Sequence, residues 1–404
     1  MKKYTLSTLF HIDPKEQEKE YEKRFNDSEA VKLDIFIGSN QAFFCPDLNI
    51  YKTALAIERI DKRINELYIT LPPKAIEHFT KRCLIDEIVI SNNIEGVHST
   101  RKEIHDILDD LSKRNNRNRF VGLVKKYATL MNFEEISIDT CEDIRKIYDE
   151  IFFEEIQEYD SSSLPDGKIF RKNSVSVYSV SDKVIHTGLY PESAIIETMK
   201  KALLFLRNNN IEYLFRIAIF HYLFGYIHPF YDGNGRMSRF ISSYLLSQKF
   251  NHLISYRISY TIKENISSYY DAFKICNHPN NKGDLTPFLE MFLNIVEKSE
   301  AQLCEALETR VKRLNIYSTA IPKLPYSDDR LTYDIYFLLV QAALFSDMGI
   351  SLSELEQHLA VSYNTLNGKL KLIPKEFLSI TKNGRFKLFS LNLEYVDKTI
   401  LTDF

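Results

Sequence analysis

The sequence predicts a mainly α-helical protein: a helical bundle with a small β-hairpin inserted in it, followed by a C-terminal winged helix-turn-helix domain. Three observations carry this. Glycine and proline number only 12 each in 404 residues, against usual shares of roughly 7% and 5%, so turn formers are few. Most of the chain runs in long Leu/Ile/Glu/Lys stretches with apolar residues at helical spacing. One central stretch and two pieces near the end interrupt that texture with β-branched alternation.

The length allows two or three domains and a sizeable core. A net charge of −3 gives no general attraction to nucleic acid or to anionic membranes. The longest apolar runs fall far short of the roughly 20 residues that a membrane span needs, and the N-terminal apolar stretch is too broken for a signal peptide. Five scattered cysteines without a CxxC pair suggest reduced thiols. A cytoplasmic protein with no membrane association is the expectation.

In chain order, the first fifty residues mix charge runs with the apolar patch "DIFIGSNQAFF" and predict no more than a packing extension. A helix follows, with Ile57, Ile60, Ile64 and Leu67 on one face, and "LPPK" stops it. A second helix spans about 74–96 and ends at Gly96. Thr100 and Glu103 form a capping box for a helix through Leu111, and "SKRNNRNR" is expected as a solvated loop. After further helix, residues at about 170–190 form the hairpin, with Val175, Val177 and Val184 as its β-branched members. Helix resumes at Glu192. The stretch "IEYLFRIAIFHYLFGYIH" is apolar on nearly all sides, which marks a central buried helix. A loop at 228–239 then leads into another apolar helix that begins near Asn234 or Gly235. Four regions result: an N-terminal helical region 1–112, a core 113–300, a linker helix 301–330, and three short helices with two strand-like pieces at 331–404.

The loop "HPFYDGNGRMSR" needs more explanation than a turn provides. A helix N-terminus attracts anions through unpaired N–H groups. Gly233 and Gly235 let successive N–H groups around Asn234 point inward as a nest. Arg236 and Arg239 lie on one helical face, spaced to grip one anion. Asp232 is a carboxylate at the lip, of the kind that holds Mg²⁺ together with phosphate oxygens. His228, with an ordinary pKa of about 6.5, can accept a proton near neutrality. This set suits phosphoryl or nucleotidyl transfer.

The loop resembles the Fic (fido) family motif HPFx[DE]GNGRxxR at all its fixed positions. The resemblance implies a Fic-type helical bundle and transfer of AMP from ATP to a Ser, Thr or Tyr hydroxyl of a target protein. It implies His228 as general base, Asp232 as Mg²⁺ ligand, Gly233, Asn234 and Gly235 as the α-phosphate nest, and Arg236 and Arg239 as phosphate-holding arginines. The hairpin corresponds to the family's flap, which docks the target by strand addition. Similarity in order extends to "SYYDAFKICNHPNNKGDLTPFLEMFL", where Tyr269, Tyr270 and Asn281 are candidate contacts for adenine or ribose.

"SNNIEG" resembles the family's inhibitory motif [ST]xxxE[GN], with Ser91 and Glu95 on one helical face. A pair between Glu95 and Arg239 would take the charge needed by the ATP γ-phosphate and misplace the α-phosphate. An error of about 1 Å can cost roughly a hundredfold in rate. The same glutamate, swung away, could orient a water to remove AMP from a modified target.

In the last region, Lys369, Lys371, Lys375, Lys382, Arg385 and Lys387 face only Glu376 between Ser362 and Ser390. Over 331–404, however, seven basic residues meet eight acidic ones. Several functions remain open: an auto-inhibited AMP transferase, a Fic enzyme acting mainly in de-AMPylation or moving another phosphate-bearing group, or a DNA-binding regulator with a Fic-like sensor core. Self-modification and a homodimer are further expectations.

Overall fold

The computed structural model describes residues 4–111, 118–178, 184–383 and 386–400. It divides into two compact units, Met1–Asp61 with Ile85–Ala301, and Lys62–Leu84 with Gln302–Phe404. The expected regions were contiguous in sequence. The observed division instead falls inside helices.

The N-terminal segment is more ordered than the expected packing extension. Helices α1 (Leu6–Ile12) and α2 (Pro14–Phe25) meet at Asp13, whose side chain accepts the Lys15 N–H and caps α2. Strands β1 (Val31–Ile37) and β2 (Asn40–Phe44) form an antiparallel hairpin that turns at Gly38, φ +59°. Leu33, Ile35 and Ile37 point inward while Lys32, Asp34 and Phe36 face solvent, the period of two expected for a half-buried strand. Phe43 then exchanges backbone bonds with the 283–285 segment, and Arg24 pairs with the buried Asp284 at 3.0 Å. These contacts fix the segment to its unit.

Helices α3 (Leu48–Tyr68) and α4 (Pro73–Ile94) flank the prolines, and Pro73 opens α4 at a position where its missing N–H costs nothing. Gly96, at φ +73°, ends α4: the Val97 N–H bonds to the Asn92 carbonyl and the Gly96 N–H to the Asn93 carbonyl. Helix α5 runs from Arg101 to Asp109, two residues short of Leu111. Only half of the expected capping box is seen. Thr100 accepts the Glu103 N–H, but the Glu103 carboxylate accepts from Asn118. Most of the expected loop that follows, 112–117, lies outside the described residues.

Helices α6 (Val121–Met131) and α7 (Cys141–Tyr159) follow, with a complete capping box from Thr140 and Asp143 on α7. The flap is a short antiparallel pair, β3 (Ser176–Tyr178) and β4 (Val184–Thr187), whose turn at 179–183 lies outside the described residues. After α8 (Glu192–Leu206) comes α9 (Tyr213–Ile227), buried without interruption from Leu214 to Phe224. It is the all-round apolar helix that its sequence requires. Helix α10 (Asn234–Ser247) packs against it, followed by α11 (Ile258–Glu264) and α12 (Ile266–Asn277).

The expected linker helix is part of one continuous 35-residue helix, α13 (Thr286–Ala320). The last elements are α14 (Arg330–Phe345), β5 (Ile350–Ser351), α15 (Leu352–Leu359), α16 (Tyr363–Leu372), β6 (Leu378–Asn383), β7 (Phe386–Leu391) and α17 (Leu393–Thr399). Their sheet has the order β5-β7-β6. The basic surface expected here is reduced, because Lys369 pairs with Asp329 at 2.9 Å, and Arg385 lies outside the described residues. Among the described residues no helix is long and apolar enough to cross a membrane.

Candidate active site

The site lies where α9 ends and α10 begins. His228 terminates α9 in a left-handed conformation, φ 52° and ψ 63°, with its N–H bonded to the Phe224 carbonyl. Such a conformation strains a non-glycine residue and persists only where the surroundings enforce it. Here the enforcing group is Arg171, a fully buried residue. Its Nε donates to the His228 carbonyl at 2.9 Å, NH1 to the Asn173 carbonyl at 2.5 Å, and NH2 to the Leu189 carbonyl at 2.9 Å. One guanidinium thus ties both ends of the flap to the histidine's backbone. The Arg171 N–H bonds the Pro229 carbonyl and the Leu189 N–H bonds the Ile227 carbonyl, which adds to that register.

Burial lowers the His228 pKa to about 3, helped by the neighbouring His186 and Arg171, while a bond to the Gly225 backbone opposes the shift. The imidazole is therefore neutral at physiological pH, its pKa well below the ordinary value of about 6.5 expected from the sequence, with one nitrogen engaged by the Gly225 backbone.

The loop is held by Asn234. Its side chain accepts the Phe230 N–H at 3.0 Å and donates to the Phe230 carbonyl at 2.8 Å. Both ends of the amide are thus spent on the loop, which leaves the backbone N–H as the part of Asn234 that the expected nest would use. Gly233, at φ +79°, supplies the turn. Gly235 does not. It is helical, and a Cβ there would meet Glu95 Oε1 at 2.1 Å. Its contribution is space rather than conformational freedom. No side chain caps α10, so its first-turn N–H groups receive no such partner. Asp232 is at the lip, its side chain 58% exposed. Its Oδ1 accepts the Gly233 N–H at 2.6 Å and its Oδ2 lies 3.6 Å from Arg236 NH2. Asp232 offers one exposed carboxylate, the number of protein ligands that Mg²⁺ shared with phosphate oxygens and water can use, and among the described residues no group of three or more His, Cys, Asp or Glu side chains is gathered to hold a metal.

Both motif arginines are buried at 1% exposure. Arg239 is gripped by the end of α4: Nε donates to Ser91 Oγ at 3.0 Å, NH2 to the Ser91 carbonyl at 2.9 Å, and NH1 to Glu95 Oε1 at 2.7 Å. Burial opposes the arginine's charge, but Glu95 and then Tyr269 more than offset it and raise its pKa. One helical turn before Ser91, the buried Glu87 accepts the Ser259 N–H and hydroxyl, and desolvation raises its pKa to about 7.

Arg236 has a different partner. Its NH1 donates to both oxygens of Glu155 on α7, at 2.8 and 2.9 Å, and the Phe152 ring lies 4.7 Å from the guanidinium carbon. Its Nε and NH2 are buried without a hydrogen-bond partner among the described residues. Leaving such donors unmatched costs about 1–3 kcal/mol each, which phosphate oxygens would restore.

The expected base contacts separate. Tyr269 is buried, its hydroxyl bonded to His221 Nε2 at 2.8 Å, and His221 Nδ1 reaches Ser242 Oγ at 2.8 Å. It therefore lies behind Arg239 as core, correcting its assignment to the nucleotide. Tyr270 stays 45% exposed with its ring against Tyr269, and burial and Glu95 raise its phenol pKa. Asn281 is fully buried: its amide accepts the Ser7 N–H and donates to the Asp284 carbonyl. It serves the N-terminal segment, and its side chain is not free for a ribose.

Sequence reasoning missed Arg171 and Glu155. Nothing distinguishes Arg171 from its neighbour Lys172. Glu155 did carry a signal: it continues the buried stripe of Tyr148 and Phe152 at helical spacing, where an acid is out of place.

Residues 138–246 match the Fic/DOC family model. The protein adenylyltransferase Fic of Drosophila melanogaster is 26% identical over 232 residues, covering 56% of this chain and 43% of that protein. The Drosophila grimshawi protein of the same name is 32% identical over 93 residues, 23% of this chain and 17% of that one. The chain thus spans less than half the length of these curated relatives. Among solved structures, a Fic family protein from Desulfovibrio desulfuricans G20 aligns with TM-score 0.49 and 23% identity, covering 83% of this chain and 96% of that one. Fic-1 from C. elegans, residues 134–508, aligns with TM-score 0.45 and 20% identity, covering 64% and 74%. The chain carries a Fic/DOC family domain.

Proposed function

We propose that the protein is an adenylyltransferase that moves AMP from ATP to a Ser, Thr or Tyr hydroxyl of a target protein and is held off by its own Glu95. The observation that carries this is the arrangement around α10: a neutral, positioned imidazole at one end of the loop, and two buried arginines beside an uncapped helix start. In the transfer, the target hydroxyl oxygen bonds to the α-phosphorus, the bond to pyrophosphate breaks, and the hydroxyl proton passes to the free nitrogen of His228. Asp232 would hold Mg²⁺, which would neutralise phosphate charge. Arg171 registers the flap, where the target segment would dock, on the histidine that serves it. Tyr270, the exposed member of its pair, is the candidate contact for the base.

The off-state is supported by the carboxylate of Glu95, which lies against Gly235 and Arg239 in the space an anionic phosphate group would need. Glu95 follows the last turn of α4 with its side chain 31% exposed, so it can move out into water. Mass spectrometry of the Glu95→Gly protein after incubation with ATP and Mg²⁺ tests the proposal. Adenylyl adducts on the protein itself or on added lysate proteins are expected, and none with His228→Ala. Equal, negligible labelling of wild type and Glu95→Gly would overturn it.

A further inference from the structure

We propose that Glu155 is a positioning residue for the nucleotide phosphates: from α7 it holds Arg236 so that the arginine's remaining donors face the anion cradle. This rests on the adenylyltransferase proposal and adds a residue outside the loop motif.

The argument starts from how the guanidinium is shared. An arginine and a carboxylate commonly pair fork to fork, consuming two nitrogens. Here both Glu155 oxygens converge on NH1 alone, at 2.8 and 2.9 Å, and Asn92 Oδ1 lies 3.5 Å from the same atom. The opposite edge, Nε and NH2, keeps its donors, and both are buried with no hydrogen-bond partner among the described residues. NH2 is 3.6 Å from Asp232 Oδ2, so that edge is turned toward the lip of the loop. The Phe152 ring at 4.7 Å packs beside the guanidinium and limits its rotation. Glu155 therefore fixes the free edge as well as the charge.

Glu155 also differs from an inhibitory acid. Its side chain is 8% exposed and sits on the inner face of α7. A carboxylate with no water to move into stays paired when nucleotide arrives. A permanent partner orients the arginine; it does not compete for it.

The test uses the full chain in the Glu95→Gly background, with Glu155→Gln, Arg236→Ala and both together. MgATP binding is read by calorimetry, and ATP KM and kcat by transfer of labelled AMP. Glu155→Gln is expected to raise the MgATP Kd and ATP KM about tenfold, the effect of losing one modest charge-assisted contact, with kcat within about twofold. Once Arg236 is alanine, Glu155→Gln should change neither. Unchanged or tighter binding, or a tenfold loss that persists without Arg236, would overturn the proposal. Should Glu155→Gln not fold, Glu155→Asp withdraws the oxygens by one carbon and should give the same change at smaller size. If MgATP binding shifts as expected but the Glu95→Gly parent transfers no AMP, the adenylyltransferase proposal fails and the role of Glu155 stands.

Discussion

Arg236 and Arg239 stand one turn apart on α10, are equally buried, and each meets one glutamate, yet the two contacts are built differently. Glu95 holds Arg239 from just past the end of α4, with nearly a third of its side chain in water. Glu155 holds Arg236 from within the C-terminal part of α7, almost fully enclosed. The lesson concerns exposure. The same ion pair is reversible where the acid can be rehydrated, and part of the framework where it cannot. A site that must both hold phosphate and be kept off can use one of each.

The comparison can be broken or sharpened in several ways, beginning with the largest effect. Both arginines are assigned to one reaction with one base, so His228→Ala in the Glu95→Gly background should lower AMP transfer by at least about a hundredfold. Nucleotide binding should remain, and a residual rate near the parent's would mean that the arginines serve other chemistry.

The second contrast is in stability. Glu155→Ala leaves a buried guanidinium without its acid and should destabilise the protein by about 3–5 kcal/mol in urea unfolding. A loss under about 1 kcal/mol would mean the enclosed pair is no more structural than a surface one.

Acid should act on the helix behind both arginines. His221, fully buried behind Arg239, has its pKa lowered to about 3, first by burial and then by Arg239. The unfolded chain takes up this proton near pH 6.5 and the native state does not, so stability is full above that pH. It should fall by a few kcal/mol as pH drops from about 6.5 to 4. Melting curves across that range check it, and His221→Gln should remove that histidine's share of the dependence, leaving the part due to His228 and His252, which are shifted the same way.

The smallest effect is the counterpart of the second. Glu95→Ala should cost clearly less than Glu155→Ala in the same unfolding experiment, because Arg239 keeps its two bonds to Ser91 and water can enter where the part-exposed carboxylate was. A cost matching that of Glu155→Ala would erase the distinction between the two acids.

Much of the fold was legible because its signals are local. The periodicity of α4 and α9, the Gly96 stop and the start of α10 near Asn234 depend on residues a few places apart. The N-terminal hairpin was readable in principle: Leu33, Ile35 and Ile37 alternate with Lys32, Asp34 and Phe36, but charge runs on both sides hid so short a pattern. In the site, the loop residues were legible as a set, while their individual tasks were not. Gly235, expected both to let the backbone turn and to leave room, is helical and provides the room alone. Asn234, expected within a backbone nest, also staples the loop through its side chain. Tyr269 and Asn281 were taken for nucleotide contacts and are core. Each such difference depends on what the side chain meets across the fold, which spacing along the chain does not encode.

By itself the sequence determined the helical class, the helix–loop–helix that carries His228 and the arginines, and the placing of Ser91 and Glu95 on one helical face, since backbone periodicity and turn chemistry are properties of neighbours. Tertiary structure alone decided that Arg171 locks His228 into its left-handed turn, that burial keeps the imidazole neutral, and that one arginine meets an exposed acid and the other an enclosed one. The physical reason is that exposure and dielectric surroundings, which set the strength and reversibility of a charge pair, exist only once distant segments have packed together.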